Sequence, residues 1–273
     1  MSKSNLITRT ITALLYGLML IASLVINHYT FYIFFFVVLV LGLKEFYQLA
    51  EKKDVKPQKI LGFIMALGMY ISSYLVHVNE KMCYLTFNLV LALTFLLFAV
   101  ELFRNKEISF VNIGITFLGI IYVALPLSLL TFLAYDTSYQ YSYHLTLSIF
   151  ILVWLSDVGG YFAGINFGKH KLLERISPKK TWEGVAGGLA LCIIGSYILG
   201  QLFPIMNIYM WLLLGVLVCV SSVIGDLIES MLKRSANIKD SGNLLPGHGG
   251  ILDRFDSVLF VIPIVYIFKF FIL

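Results

Sequence analysis

Charge is what this sequence has least of. Only 13% of its 273 residues are Asp, Glu, Lys or Arg, while 59% are hydrophobic. A soluble globular domain carries about a quarter charged residues, so that class is excluded, and nothing here suggests a nucleic-acid partner. Cysteine is scarce as well. Cys83, Cys192 and Cys219 stand singly inside apolar runs with no C-x-x-C spacing, which argues against a disulfide framework or a zinc site and for small buried hydrophobes. A signal-peptide cleavage site is also missing. Lys3 and Arg9 precede an apolar run from about Ile11, but no small-x-small site follows, and the chain passes through Asn27-His28-Tyr29 into a second run. The first run therefore reads as a retained transmembrane helix. The start also lacks a long polar extension of the organellar transit kind, which points to a bacterial setting.

Long apolar runs are what the chain does have. A helix needs about 20 apolar residues to span a membrane, and such runs fall at 10–26, 30–49, 59–78, 82–103, 110–134, 144–168, 184–203, 208–231 and 251–272. The expected fold is all-α: a polytopic integral membrane protein with about nine transmembrane helices. Of the 20 Lys and Arg residues, only Lys81 and Lys269 fall outside the N-terminal side of that arrangement. By the positive-inside rule the N-terminus and the loops 169–183 and 232–250 face the cytoplasm. Tyr135, Tyr139, Tyr141, Tyr143 and Tyr209 flank the runs on the other side, as interfacial aromatics do. The chain divides into N-terminal helices, 1–140, acting as scaffold and carrying any oligomer contacts, and a catalytic transmembrane region, 141–273, with the two polar loops.

Asp157, Asp226, Glu229, Asp253, Arg254 and Asp256 lie in or just inside expected spans. A charge at the bilayer centre costs about 2.5–3.5 kcal/mol on insertion scales, so such a cluster marks a functional site by default. Asp226, Glu229, Ser230 and Lys233 recur at steps of three, four and seven and share one helix face. Asp253 and Asp256 are one turn apart at the start of the last helix. Carboxylates from two helices meeting at one end make a cage of hard oxygen ligands, suited to Mg²⁺ rather than zinc or copper.

The polar stretch from Ser230 to Asp256 adds Arg234, Lys239, Asp240 and the turn Pro246-Gly247-His248-Gly249-Gly250. Its glycines let backbone N–H groups at the helix start approach an anion. His248 is a general acid, a phosphate donor or simply a turn residue. In the other loop, Ile176-Ser177-Pro178-Lys179-Lys180-Thr181-Trp182-Glu183-Gly184, Ser177-Pro178 reads as a helix start that aims Lys179 and Lys180 at an anionic substrate. Gly160, Gly164 and Gly168, then Gly184 and Gly188, repeat every four residues, the spacing of closely packed membrane helices.

The stretch S-x-L-K-R, four residues, K-D-x-G, then L-P-x-H-G-G-I-x-D-R-F-D resembles the signature of the phosphatidate cytidylyltransferase (CDP-diacylglycerol synthase) family residue for residue. Ser156-Asp157 and 177–184 are similar to that family's upstream segments, and the resemblance covers roughly 150–273. It implies Mg²⁺-dependent conversion of CTP and phosphatidic acid to CDP-diacylglycerol and pyrophosphate at the cytoplasmic side of the inner membrane, by a homodimer. Under it, Asp226 and Asp253 are the metal ligands, with Asp256 as a third or supporting one. Lys233, Arg234, Lys239 and Arg254 neutralise phosphates. Ser177, Lys179, Lys180, Ser230, His248, Gly249 and Gly250 hold substrate, and Asp157 orients a lysine or lines the lipid entry. Asp240 has no assigned role.

Two rival classes make different demands. A CDP-alcohol phosphatidyltransferase needs D-x-x-D-G-x-x-A-R followed by G-x-x-x-D-x-x-x-D, which the chain lacks. A cation- or proton-coupled transporter shows broken helices in two repeated halves, whereas here every polar intrusion is expected in the second half.

Overall fold

The computed structural model describes residues 3–77, 80–104, 107–136, 138–238, 241–242 and 249–272, with side chains from residue 12 onward apart from 80 and 83. All nine expected apolar runs are helical, and seven helices among the described residues are long and apolar enough to cross a membrane. The other two expected spans coincide with Lys59–Leu75, a shorter apolar helix, and with a helix whose described side chains cover Thr12–Val25.

The chain forms two compact units, each described by itself. The first comprises residues 1–132 and 236–254. It contains α1 (Lys3–Val25), α2 (His28–Glu51), α3 (Lys59–Leu75), α4 (Glu80–Arg104) and α5 (Ser109–Gly119). The helix begun by α5 runs on through a π-helical turn, Ile120–Ala124, into α6 (Leu125–Leu133). Asn27 starts α2 sharply: its side chain accepts from the Thr30 N–H at 2.9 Å while the Asn27 N–H donates to Thr30 Oγ1, a capping box. The core centres on Phe31, Phe35, Leu39, Leu43 and Tyr47, all buried. The Tyr47 hydroxyl donates to the Thr116 carbonyl at 2.9 Å, so this large aromatic is buried with its polar end satisfied.

Polar intrusions are not confined to the second half of the chain. Buried Glu101 accepts from Gln58 Nε2 at 2.6 Å, Arg104 at 2.8 Å and Asn112 Nδ2 at 3.2 Å. Asn112 in turn accepts from the Lys56 N–H at 2.8 Å. The buried Glu101 carboxylate is thus met by three donors. Glu45, also buried, is a second departure from the expected pattern.

The second unit comprises residues 133–235 and 255–273. It holds α7 (His144–Phe167), the antiparallel strands β1 (Lys171–Leu173) and β2 (Ser177–Thr181), α8 (Trp182–Leu202), α9 (Ile208–Ser235) and most of α10 (Leu252–Ile272). The expected glycine packing is present between α7 and α8. A Cβ built on Gly184 would lie 2.9 Å from the Gly160 carbonyl oxygen, and one on Gly188 would lie 2.8 Å from that of Ser156. In both cases the obstacle is backbone, which cannot swing aside. Gly188→Val is therefore expected to destabilise by about 1–3 kcal/mol or more, read as a lower melting temperature in detergent; an unchanged one refutes the close contact. Cys192 and Cys219 are buried, and the Cys192 thiol donates to the Leu152 carbonyl at 3.3 Å, as expected of small core residues.

The loop 169–183 differs from its expected form. Ser177 and Pro178 open a strand rather than a helix, paired with Lys171–Leu173 across a tight turn. The helix starts at Trp182, where the Thr181 hydroxyl caps it by accepting from the Gly184 N–H at 3.1 Å. Threonine is the better start signal because it supplies a side-chain acceptor for an orphan N–H; proline supplies only a fixed φ.

Candidate active site

On α9, Asp226 and Glu229 sit one turn apart on the face expected from their spacing. Gly225 lets α10 approach that face: a Cβ there would meet the Asp256 carbonyl oxygen at 2.9 Å and Ser257 Cα at 3.0 Å. The approach delivers Asp256 to the other two acids, so that one carboxylate oxygen from each of Asp226, Glu229 and Asp256 lies within 4.8 Å of the others. Glu229 is only 1% exposed. Three carboxylates this close repel one another unless cations intervene. Two lysines do so in part. Lys233, one turn further along α9, pairs with Glu229, and Lys180 of β2 pairs with Asp226.

The Lys180–Asp226 pair joins the polar loop 169–183 to α9. The base of the hairpin is tied by Glu183, which accepts from the N–H groups of Lys169 at 3.1 Å and His170 at 3.2 Å and contacts His170 Nδ1 at 2.6 Å. The Trp182 N–H donates to the His170 carbonyl at 3.0 Å. Beside the hairpin is a cavity of about 250 Å³. Asp157 and Ser156 line its α7 side, Lys179 and Lys180 its β2 side, and Gly184 and Gly188 its α8 side. The lining thus combines two lysines and an acid with glycines and valines.

In the first unit, Asp253 has a different environment. Its carboxylate accepts from the Gly250 N–H at 2.8 Å and, through both oxygens, from the Ser241 N–H at 3.0 and 3.2 Å. Glu45 of α2 accepts from the Ile251 N–H at 3.1 Å and the Leu252 N–H at 2.8 Å. The N–H groups of residues 250–252, which the sequence offers to a phosphate, therefore donate to the protein's own carboxylates. Gly249 has φ +84°, a left-handed conformation that a side chain would strain.

The remaining sequence candidates are distributed as follows. Ser177 opens β2 half-buried, and Ser230 follows Glu229 on α9. Arg234 ends α9 and Arg254 lies in the first turn of α10, both exposed. Lys239, Asp240 and His248 lie outside the described residues. Glu229 belongs to the charged cluster and the shared face expected from the sequence, but as a ligand beside Asp226 and Asp256 it is new here. Sequence reasoning passed over Glu45, whose signal was a lone acid within an expected span.

Hard oxygen donors flanked by lysines, on helices apolar enough to cross a membrane, are groups suited to holding a metal ion against phosphates. The chain belongs to the cytidylyltransferase family, whose sequence model matches residues 7–272, and it is a nucleotidyltransferase enzyme. It is similar to the phosphatidate cytidylyltransferase of Staphylococcus saprophyticus subsp. saprophyticus, 35% identical over 261 residues, covering 95% of this chain and 97% of that protein. The proteins of the same name from Staphylococcus haemolyticus and Staphylococcus epidermidis are each 34% identical over 261 residues, with the same coverage.

Proposed function

We propose that the chain is a CTP:phosphatidate cytidylyltransferase of the bacterial inner membrane, spanning it about nine times with its site on the cytoplasmic side and working as a homodimer. The observation that carries the reading is the Asp226–Glu229–Asp256 group with Lys180 and Lys233 set against it. The side follows from the Lys and Arg distribution, and the homodimer from the family resemblance. Residues 1–140 are the scaffold, and 141–273 carry the chemistry.

A phosphate oxygen of phosphatidic acid forms a bond to the α-phosphorus of CTP, and the bond from that phosphorus to the β-phosphate oxygen breaks, releasing pyrophosphate. The attacking group is already anionic, so no side-chain nucleophile is required, and catalysis is positioning and charge neutralisation. Lys233 and Lys180 bring cations to the triphosphate and lipid phosphate, assisted by Lys179, Arg234, Lys239 and Arg254. Ser177, Ser230, His248 and Gly249 contribute donors at the edge of the site, whereas the Gly250 N–H is taken by Asp253. The cavity lined by Ser156, Asp157 and Lys179 suits a lipid whose phosphate lies at the lysines and whose apolar part meets the apolar lining, Val185 and Val223 among it. Three hard carboxylates within reach of one point fit Mg²⁺. Asp226, Asp256 and Glu229 would hold it, with Asp253, one turn before Asp256 on the same helix, as a further ligand. When bound, Mg²⁺ supplies charge neutralisation and orientation of the phosphates.

Purified protein in detergent is expected to convert labelled CTP and phosphatidic acid to CDP-diacylglycerol with added Mg²⁺ and to stop in excess chelator. Full turnover in chelator sinks the metal centre; no turnover under any divalent ion sinks the enzyme assignment.

A further inference from the structure

We propose that Glu45 is a positioning residue for the signature stretch, acting on Asp253 through Ser241 and the first turn of α10. The inference rests on the reading of Asp253 as a member of the catalytic group.

Glu45 lies inside a run that composition alone marks as a membrane span, and it is 4% exposed. A buried carboxylate is costly unless donors meet it. Here the donors come from 196 residues further along the chain and beyond. Oε2 accepts from the Ser241 hydroxyl at 3.3 Å and from the Leu252 N–H at 2.8 Å, and Oε1 accepts from the Ile251 N–H at 3.1 Å. The positive end of the α10 dipole adds to them. Ser241 is held twice, its hydroxyl by Glu45 and its N–H by Asp253. The 250–252 turn is shared by the same two acids, with Gly250 on Asp253 and Ile251 and Leu252 on Glu45.

The two carboxylates thus form one device joining residue 241 to residues 250–252, and the place of Asp253 depends on both. The glycines fit around it. A Cβ on Gly250 would sit 2.5 Å from the Ser241 hydroxyl oxygen, and one on Gly242 would sit 2.9 Å from the Glu45 carboxyl carbon. Glu45 serves purely as an acceptor, which a carboxylate satisfies with both oxygens. A carboxamide has one acceptor oxygen and would turn its NH₂ toward a backbone N–H.

The test uses the full chain in detergent with Glu45→Gln, Glu45→Asp and Ser241→Ala. For Glu45→Gln, kcat is expected to fall about 10–100-fold, with the Mg²⁺ concentration for half-activation rising, as when a support for a metal ligand is removed, and with KM for CTP little changed. Amide hydrogen exchange in the peptide containing residues 249–254 should quicken while that of α7 and α8 stays at wild-type rates. Glu45→Asp should recover part of the loss. Wild-type kcat with wild-type exchange in Glu45→Gln overturns the proposal. If Glu45→Gln fails to fold, Ser241→Ala decides: a fall in kcat with faster 249–254 exchange supports the device, and wild-type values for both refute it. If the wild-type protein makes no CDP-diacylglycerol under any divalent ion, the functional reading fails instead, while the exchange data still report on the Glu45 contacts.

Discussion

Replacing Asp256 with Asn is expected to lower turnover by about 10²-fold or more, the size of loss seen when a group acting on developing charge is removed, while leaving the protein folded and inserted. Asp256 is the member of the acidic group supplied by α10, and its Oδ1 accepts from the neighbouring Ser257 N–H at 2.6 Å. Asn keeps the volume and that acceptor but removes the negative charge. Asp226 and Glu229 already have lysine partners in Lys180 and Lys233. A purely structural ion network would gain from the change, because neutralising Asp256 relieves repulsion among three carboxylates. A metal centre would lose by it, because a hard anionic ligand has gone. Both views therefore predict a gain in stability without metal, but with saturating Mg²⁺ only the metal centre predicts a loss, and the outcomes for activity differ. Turnover across a Mg²⁺ titration, together with melting temperature in chelator and in saturating Mg²⁺, separates them. Turnover near wild type with an unshifted Mg²⁺ response removes Asp256 from the metal shell. Glu229→Gln is the harsher companion, since it strands the Lys233 ammonium, 14% exposed, beside a neutral partner; breaking a buried pair costs about 3–5 kcal/mol.

What could be read in advance follows the range of the signals. Helix existence was legible because about 20 apolar residues in a row admit few alternatives, and the nine runs are helical. The common face of Asp226, Glu229 and Lys233 was legible because 3.6-residue periodicity is local. The strand over Ser177–Thr181 was not, because its cause is pairing with Lys171–Leu173, which propensity at Ser177-Pro178 does not contain. Gly225 announced nothing until α10 was seen against it. The contact of Glu45 with Ser241 and Leu252 bridges about two hundred residues, and neither local pattern carries a trace of its partner. Charge counting even steered away from it, since Lys44 next door was read for topology and the acid beside it was passed over.

Removing the charge of Lys180 tests how the hairpin and the carboxylates work together. Lys180→Met keeps most of the stem but deletes the ammonium that pairs with Asp226. Both side chains of that pair are 28% exposed, and ion pairs open to solvent contribute only about 0–1 kcal/mol, so the melting temperature should move little. The hairpin keeps its other ties, from Glu183 to Lys169 and His170 and from Thr181 to Gly184. Activity should fall much further, by about 10²-fold in kcat/KM, because a cation facing a phosphate in a partly dry site is worth more than one in water. Lys180→Arg should restore part of the activity, since it returns the charge in a wider, planar form. Lys179→Met, at an exposed position on the same strand, should cost less. Steady-state kinetics with CTP and phosphatidic acid varied in turn will show which substrate the cation serves. A Lys180→Met enzyme with wild-type kcat/KM for both would mean that its pairing with Asp226 only anchors the hairpin.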